Sequence, residues 1–202
     1  MSVFYFVRHG ANPFLASDRI AGRTHGVHLN AEGIAQAAAA AAMLRRYPIT
    51  KIFSSPLERA RETAEPFAKL SGLTVETLDG LLEVSFGDWT GMTHGQLSRD
   101  PRWALWNSFR LGGRIPNGES MLEVQARMCA CVESLRAKFP DGHMAVFGHA
   151  DPIRAALMYY LGMSLDFYGR LQISPGSISI LNVWENWVEL TALNITPPLL
   201  PA

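Results

Sequence analysis

The sequence predicts an α/β domain, a three-layer α/β/α sandwich whose central sheet is mainly parallel. Two observations lead to this fold class. Short apolar runs rich in β-branched and aromatic residues alternate along the chain with longer segments of helical character. Polar residues follow several of these runs directly, as expected where the carboxyl ends of parallel strands form a ligand site. With 202 residues, 48% of them hydrophobic, the chain suffices for one domain over residues 1–202.

The first half of the chain predicts two strands, each followed by a helix. The strands are short apolar runs that end abruptly at polar residues. The helices follow from an asparagine cap before an alanine-rich stretch and from a proline at a helix start. The predicted elements are a strand at 3–7, a helix from Asn30 to about Arg46, a strand at 51–54, and a helix that starts at Pro56 and is disturbed near Pro66.

The second half begins with a segment, about 87–118, that lacks clean periodicity and is rich in glycine and tryptophan. We expect it to form a small cap of short helices and loops, inserted after Glu83. Regular periodicity then returns. The predicted elements are a helix that opens at 117–120 and ends near Lys138, a strand at 143–147, a helix over 154–161, β-segments at 177–184 and 187–193, and a loose tail from Thr196.

Composition excludes several classes of protein. The formal net charge at pH 7 is zero, so no basic field favours nucleic acid or an anionic membrane. The longest apolar stretch, around 37–44, is far shorter than the roughly 18 residues that a membrane helix needs, and no leader-like segment precedes the first strand. We therefore expect a cytoplasmic protein that binds neither nucleic acid nor a membrane; the oligomeric state stays open.

Residues suited to phosphate chemistry follow the predicted strands. Arg8 and His9 come after the first strand, Arg59 lies after the second, Glu83 precedes the cap, and His149 follows a later strand. The carboxyl ends of parallel strands share one edge of a sheet, so these side chains are expected to meet. Arginine offers paired donors for phosphate oxygens, and a neutral imidazole is a good nucleophile near neutral pH.

These residues stand in short motifs that follow one another along nearly the whole chain. The motifs are Arg8-His9-Gly10, 19–23, 29–33 with Gln36-Ala37, 54–60 with 62–64, Leu82-Glu83, 86–89 with Gly91, 118–120 and 147–149. A single three-residue motif is a weak signal, whereas an ordered set is specific. The set resembles that of the histidine phosphatase, or phosphoglycerate mutase-like, superfamily. The resemblance implies a three-layer α/β/α fold and phosphoryl chemistry.

The resemblance also implies a role for each residue. His9 is the nucleophile that forms a phosphohistidine, while Arg8, Arg59 and His149 bind the phosphoryl group. Glu83 is the acid that protonates the leaving alcohol and later deprotonates the attacking water. His149 is expected to contribute most when protonated, and Glu83 must begin protonated, which requires a pKa raised by burial and by the substrate phosphate.

One departure from the family concerns the residues after the first motif. Many members carry Ser or Thr two residues after the glycine and Asn three further on, where this chain has Asn12 and Leu15. Two interpretations of Asn12 stay open: its amide binds phosphate in place of the lost donor, or it supports the turn before Pro13. Gly22, within the motif at 19–23, is assigned to substrate binding.

The phosphatase branch is favoured over two alternatives. Mutases that resemble this family carry a longer insertion between Glu83 and His149 that encloses a second phosphate, and this chain is too short for it. The segment 87–91 also looks more like the phosphatase branch than the mutase branch. Arg110 or Arg114 could bind a second acidic group of a small phosphomonoester substrate, and Arg114 is the residue we assign. An inactive protein that only binds phospholigands is the other alternative, because fold does not dictate function.

No metal or other cofactor is expected. His25 and His28 have a spacing that could hold a metal, but no cysteine or carboxylate cluster accompanies them. The sequence contains neither the phosphate-binding loop of nucleotide hydrolases nor a paired-aspartate metal motif.

Overall fold

The computed structural model describes residues 1–199 and contains a six-stranded sheet. The strands are β1 (Ser2–Arg8), β2 (Lys51–Ser54), β3 (Val75–Thr77), β4 (His143–Gly148), β5 (Ile178–Val183) and β6 (Val188–Ile195). Their order across the sheet is β3-β2-β4-β1-β5-β6. Strand β2 pairs in parallel with β3 and β4, and β4 pairs in parallel with β1. At the other side of the sheet, β5 pairs antiparallel with β1, and β6 pairs antiparallel with β5. The carboxyl ends of β1, β2 and β4 therefore lie side by side, as predicted.

Helices cover both faces of the sheet. They are α1 (Pro13–Ala16), α2 (Ala31–Leu44), α3 (Glu58–Ser71), α4 (His94–Leu97), α5 (Pro101–Ser108), α6 (Met121–Lys138) and α7 (Ala150–Tyr160). One apolar core joins α2 and α3 to one face of the sheet. A larger apolar core joins α6 and α7 to the opposite face. The predicted three-layer α/β/α architecture is confirmed. Within residues 1–199, none of these helices combines the length and apolar character needed to cross a bilayer.

Several predicted elements differ in their bounds from the observed ones. β3 was not predicted, because Val75–Thr77 is short, has two exposed residues and shows no apolar run. Pro56 lies before α3, which begins at Glu58 and continues through Pro66. α7 begins at Ala150, four residues earlier than the predicted bound at 154. Asp and Pro are typical of loops, so Asp151-Pro152 hides the start of the helix in the sequence, although both residues are favourable in a first helical turn.

The segment 87–118 consists of a short 3-10 helix, α4, α5 and loops. Trp89, Trp103 and Trp106 pack against one another with ring centroids 5.2–5.7 Å apart, and Trp89 and Trp106 are buried. Trp89 and Trp106 belong to the larger of the two cores and Trp103 packs against it, so these rings join the segment to the rest of the chain. A single domain over 1–202, with 87–118 as its cap, stays a prediction. The tail adopts no regular structure at 196–199, and residues 200–202 lie outside the described residues.

Candidate active site

A cavity of about 180 Å³ opens where β1, β2 and β4 end. Most of the residues that were assigned from the sequence meet there. Those that line the cavity are Arg8, His9, Asn12, Gly22, Arg59 and Glu83. His149 lies against His9, with the ring centroids 5.2 Å apart. Of the assigned residues, Arg114 alone lies elsewhere.

His9 is held as a neutral imidazole with one free nitrogen. Its Nδ1 lies 2.7 Å from the carbonyl oxygen of Gly10, which can only accept a hydrogen bond. Nδ1 therefore carries the hydrogen, and Nε2 keeps its lone pair. Burial, together with the charges of Arg8 and Arg59, lowers the pKa of His9 well below its usual value. Near pH 7 the ring is thus neutral, with Nε2 available as a nucleophile.

Close backbone packing fixes the loop after β1. A β-carbon on Gly10 would lie 2.5 Å from the Gly33 carbonyl oxygen, and one on Gly33 would lie 2.0 Å from the Ala11 carbonyl oxygen. Only glycine lets this loop contact the first turn of α2. Thr63 Oγ1 accepts a hydrogen bond from the Gly10 amide at 3.0 Å, and Gln36 Oε1 accepts one from the Ala11 amide at 2.8 Å. These contacts explain why the motifs include these glycines, Thr63 and Gln36.

Arg8 and Arg59 are anchored to the backbone by their guanidinium groups, Arg8 through Nη1 and Arg59 through Nη2 and, more weakly, through Nη1 to the Thr24 carbonyl at 3.4 Å. Arg8 Nη1 donates to the Ile173 carbonyl, and Arg59 Nη2 donates to the Gly22 carbonyl, both at 2.6 Å. The Nε of each makes no hydrogen bond within residues 1–199. Burial lowers the pKa of both groups, but arginine keeps its charge at neutral pH. The cavity therefore holds two fixed cations with donors to spare.

Asn12 serves the turn with one atom and keeps another free. Its Oδ1 accepts hydrogen bonds from the amides of Phe14 and Leu15 at 3.0 and 3.1 Å, which caps α1. The buried Nδ2 makes no hydrogen bond with any described residue. Both interpretations of Asn12 thus have a structural basis. Leu15 also lines the cavity and offers no donor.

His149 stands between β4 and α7 and is completely buried. Its Nε2 lies 2.8 Å from Ser55 Oγ. Burial, and then the charge of Arg59, lowers the pKa of His149 well below its usual value. In the free protein the ring is therefore neutral. It is not the imidazolium form, which would contribute most to binding the phosphoryl group. Ala150, at the start of α7, also lines the cavity, so the positive end of the helix dipole faces it.

Glu83 combines burial with a negatively charged neighbour. Its Oε1 accepts a hydrogen bond from the Val84 amide at 2.9 Å, and its Oε2 lies 3.8 Å from His149 Nδ1. Burial, and then the charge of Asp151, raises the pKa of Glu83 to about 7, against the opposing charge of Arg59. Near neutral pH the carboxyl group is thus divided between its two protonation states, as a group that must both donate and accept a proton requires.

Among the unassigned residues that line the cavity, three carry ionisable side chains: Asp151, Arg19 and His94. Asp151 lies in the first turn of α7 and forms an ion pair with Arg154 at 3.4 Å. Asp151 stands two residues after the last motif, and this position could have identified it from the sequence as a residue of the cavity. No local pattern singled out His94, whose Nδ1 lies 2.7 Å from Asp18 Oδ1, far away in the sequence.

His9, Glu83 and His149 could together hold a metal ion, since their ligand atoms lie within 4.8 Å of one another. Two imidazoles and a carboxylate form a ligand set that zinc accepts. Arg8 and Arg59 face the same cavity, however, and repel a cation while they attract an anion. The charge of the cavity therefore favours phosphate, and metal independence stays a prediction.

Arg114 does not reach the cavity, so its assignment to substrate binding has no geometric support. Its side chain is 59% exposed, forms an ion pair with Glu123 and donates to the Gly118 carbonyl at 2.9 Å. The sequence could not show this partner, because the pairing depends on how the loop folds back onto α6. Gly22 does line the cavity, and its φ of +51° suits glycine.

Arg110 is buried between two aromatic rings. Its guanidinium carbon lies 3.4 Å from the ring centre of Trp106 and 4.0 Å from that of Tyr168. Nη2 donates to Asn107 Oδ1 at 2.6 Å, but Nε and Nη1 make no hydrogen bond within residues 1–199. Burial lowers the pKa of Arg110 to about 10, opposed by the charge of Asp151, the acidic residue that lines the cavity. Arg110 is thus a buried cation that does not itself line the cavity, and the charge of Asp151, which does line it, acts on Arg110.

Known proteins are similar in sequence to this chain over most of its length. The model of the histidine phosphatase superfamily (branch 1) matches residues 4–196. An uncharacterized protein of Mycobacterium tuberculosis, Rv0525, is 36% identical over 168 residues, which cover 80% of this chain and 79% of that protein. A probable phosphoglycerate mutase of Yersinia pestis, GpmB, is 32% identical over 187 residues, which cover 90% of this chain and 85% of that protein.

Solved structures of phosphatases share the fold. A mycobacterial glucosyl-3-phosphoglycerate phosphatase in complex with VO3 is 28% identical, with a TM-score of 0.87 over 95% of this chain and 98% of that one. A phosphoserine phosphatase of Entamoeba histolytica, in complex with 3-phosphoglyceric acid, is 25% identical, with a TM-score of 0.87 over 97% and 98%. On the match of residues 4–196 and these relatives, the chain belongs to the histidine phosphatase superfamily.

Proposed function

We propose that this protein hydrolyses small phosphomonoesters through a covalent phosphohistidine on His9, without a metal ion. The observation that carries the proposal is the fixed tautomer of His9, whose free Nε2 shares a small cavity with Arg8, Arg59 and a carboxyl group of raised pKa. A nucleophile, a receptor for phosphate charge and a proton donor are therefore adjacent. Membership of the superfamily supports an enzyme of the phosphatase or mutase type.

In the first step, Nε2 of His9 attacks phosphorus and the bond from phosphorus to the alcohol oxygen breaks. Arg8, Arg59, Asn12 Nδ2 and an N–H of His149 bind the other phosphoryl oxygens, where negative charge must be neutralised. The carboxyl group of Glu83 gives its proton to the departing oxygen, so that a neutral alcohol leaves.

In the second step, water attacks the phosphohistidine. The carboxylate of Glu83 accepts a proton from the water, the bond from phosphorus to Nε2 breaks, and inorganic phosphate forms. His9 is again neutral and Glu83 again protonated, so the cycle closes. A pKa of about 7 lets one carboxyl group serve as acid and then as base.

Mutase activity is the second candidate, because GpmB is among the relatives. A mutase must exclude water and keep a doubly phosphorylated intermediate bound, which requires free cations in the cap. In this cap Arg102 pairs with Asp100, and Arg114 pairs with Glu123. These two cations are already neutralised by acidic neighbours, and Arg110 is left as a buried cap cation with unpaired donors, so the cap offers fewer free charges than its four arginines suggest, which favours hydrolysis.

A panel of phosphomonoesters, assayed with a metal chelator present, tests the proposal. We expect release of inorganic phosphate from p-nitrophenyl phosphate and from at least one alkyl phosphate at the same rate with and without chelator. 3-Phosphoglycerate is assayed in parallel for isomerisation. Isomerisation without phosphate release would support the mutase, loss of turnover in chelator would refute metal independence, and binding without turnover would support a phospholigand-binding protein.

The substrate in this proposal carries a second acidic group, which Arg110 binds. A buried guanidinium group with two unpaired nitrogens is costly unless a ligand completes it. The rings of Trp106 and Tyr168 fix the orientation of the Arg110 guanidinium plane, so its unpaired Nε and Nη1 point in a fixed direction. The named neighbours offer support, since phosphoserine, 3-phosphoglyceric acid and glucosyl-3-phosphoglycerate each contain a carboxyl group beside the phosphate.

Replacing Arg110 by Met is expected to lower kcat/KM for phosphoserine by roughly 10- to 100-fold, as for a lost charge-assisted hydrogen bond. Phosphoethanolamine, which lacks the carboxyl group, should change little. The matched control is Arg114→Met, which removes an exposed cap arginine and should affect neither substrate. Equal losses on both substrates would show that Arg110 supports the fold of the cap and does not recognise an acidic group.

A further inference from the structure

The chain on both sides of Glu83 forms neither helix nor strand, yet its backbone is held firmly. Arg127 Nη2 and Arg23 Nε both donate to the Glu83 carbonyl oxygen, at 3.0 and 2.9 Å. Arg127 Nη1 also donates to the carbonyls of Leu82 and Gly80, at 2.7 and 3.0 Å. Two guanidinium groups thus replace the hydrogen bonds that a regular element would supply.

Glu119 joins the two guanidinium groups. Its Oε1 accepts a hydrogen bond from Arg127 Nε at 2.9 Å and forms an ion pair with Arg23 Nη2 at 2.8 Å. Its Oε2 accepts one from the Ser85 amide at 2.9 Å, so the same carboxylate also holds the chain after Glu83. The side chains of Glu119 and Arg127 are 18% and 20% exposed, which shields these charged hydrogen bonds from solvent.

The same contacts connect the carboxyl group to the phosphate-binding side of the cavity. Arg23 follows Gly22, and the Gly22 carbonyl accepts the hydrogen bond from Arg59 Nη2 at 2.6 Å. Neither Arg23 nor Arg127 lines the cavity, and neither contacts the Glu83 carboxyl group. Their hydrogen bonds to the site are therefore to the backbone of Glu83, and the charge of Arg127 additionally lowers the pKa of His149.

We infer that Arg127, together with Arg23 and Glu119, is a positioning residue that aims the Glu83 carboxyl group at the leaving oxygen. The inference rests on the proposed function. The carboxyl group is itself tied to the next amide, that of Val84, so a shift of this short backbone segment moves the carboxyl group with it. A displacement of about 1 Å at a reacting group costs about 100-fold in rate.

The test compares two substrates that differ in their need for an acid. Nitrophenolate leaves without protonation, whereas an alkyl alcohol does not. We expect Arg127→Gln to lower kcat/KM by roughly 10- to 100-fold for the best alkyl phosphate of the panel, and by less than about threefold for p-nitrophenyl phosphate. kcat/KM is the correct quantity because it reports formation of the phosphohistidine and not its hydrolysis.

Two variants complete the design. Arg23→Gln is expected to show the same selective loss and replaces Arg127→Gln if that variant does not fold, because Arg23 is 36% exposed. Arg136→Gln is the matched control: it lies on α6 with Arg127, is also 36% exposed, pairs with Glu133 at 2.7 Å and should leave both substrates unchanged.

The outcomes separate this inference from the proposed function. The first case is that Glu83→Gln is itself selective for alkyl phosphates. Equal losses on both substrates, or no loss in folded Arg127→Gln and Arg23→Gln, would then overturn the positioning role. A Glu83→Gln variant without that selectivity would overturn the acid role of Glu83 and the positioning role together. Selective loss in both arginine variants would establish the inference.

Discussion

Replacing His9 by Ala is expected to reduce kcat/KM for every phosphomonoester by roughly 10⁴- to 10⁶-fold, as found when a covalent nucleophile is removed. Nε2 of His9 is the free ring nitrogen that faces a cavity lined by Arg8 and Arg59. The measurement is steady-state release of phosphate, together with trapping of the labelled phosphoenzyme by quenching in alkali, which preserves bonds from phosphorus to nitrogen.

Stability provides the control for this variant. His9 makes one side-chain hydrogen bond, to its neighbour, so His9→Ala should lose activity while the thermal unfolding midpoint changes little. His143→Ala is the matched histidine variant: His143 begins β4, at the opposite end of the strand from the cavity, and pairs with Tyr5 Oη at 3.0 Å. It should stay active. A His9→Ala enzyme that still turns over would indicate direct attack by water.

Replacing Glu83 by Gln is expected to lower kcat/KM for alkyl phosphates by roughly 10²- to 10⁴-fold, the usual contribution of a general acid. Glutamine has nearly the same shape but cannot give a proton to an alkoxide. p-Nitrophenyl phosphate should form the phosphohistidine at nearly the normal rate, and its hydrolysis should then be slow because the base is missing. A burst of one nitrophenolate per enzyme is the expected signature. A single slow phase without a burst would contradict the role of Glu83 as base.

The pH dependence follows from the raised pKa of Glu83, which is about 7. The acid form exists below that pH and is lost as pH rises through it. For an alkyl phosphate, kcat/KM should therefore fall about tenfold per pH unit above pH 7. The pKa of His9 lies well below its usual value, so loss of its neutral form does not limit activity in this range. The decline should be absent for Glu83→Gln, and its persistence there would assign it to another group.

The sequence predicted the sheet and the residues at its edge because those signals are local. Strands β1, β2 and β4 are buried apolar runs, and each ends in polar residues of a motif. β3 escaped prediction because a three-residue segment with two exposed residues carries no pattern, and pairing with β2 alone makes it a strand. The start of α7 was missed because Asp151 and Pro152 in its first turn are typical of a loop.

The site was predictable to the extent that motif residues follow strands. His9, Arg8, Arg59, Glu83 and His149 were all expected to meet, and the structure brings them together. Arg114 was assigned to the cavity and does not reach it. Its side chain is exposed and long enough to take the nearest acidic partner, and no local signal identifies that partner.

By itself, the sequence determined the order of most strands and helices, the motifs that follow the strands, and the superfamily to which the chain belongs. These follow from apolar periodicity and from motifs within a few residues. Only the tertiary structure decided that Asp151 lines the same cavity as Glu83, that Arg127 and Glu119 hydrogen-bond to the backbone at Glu83 and Ser85, and that burial keeps His9 neutral. Burial and charge at a point depend on elements far apart in the chain, and such distances exist only after folding.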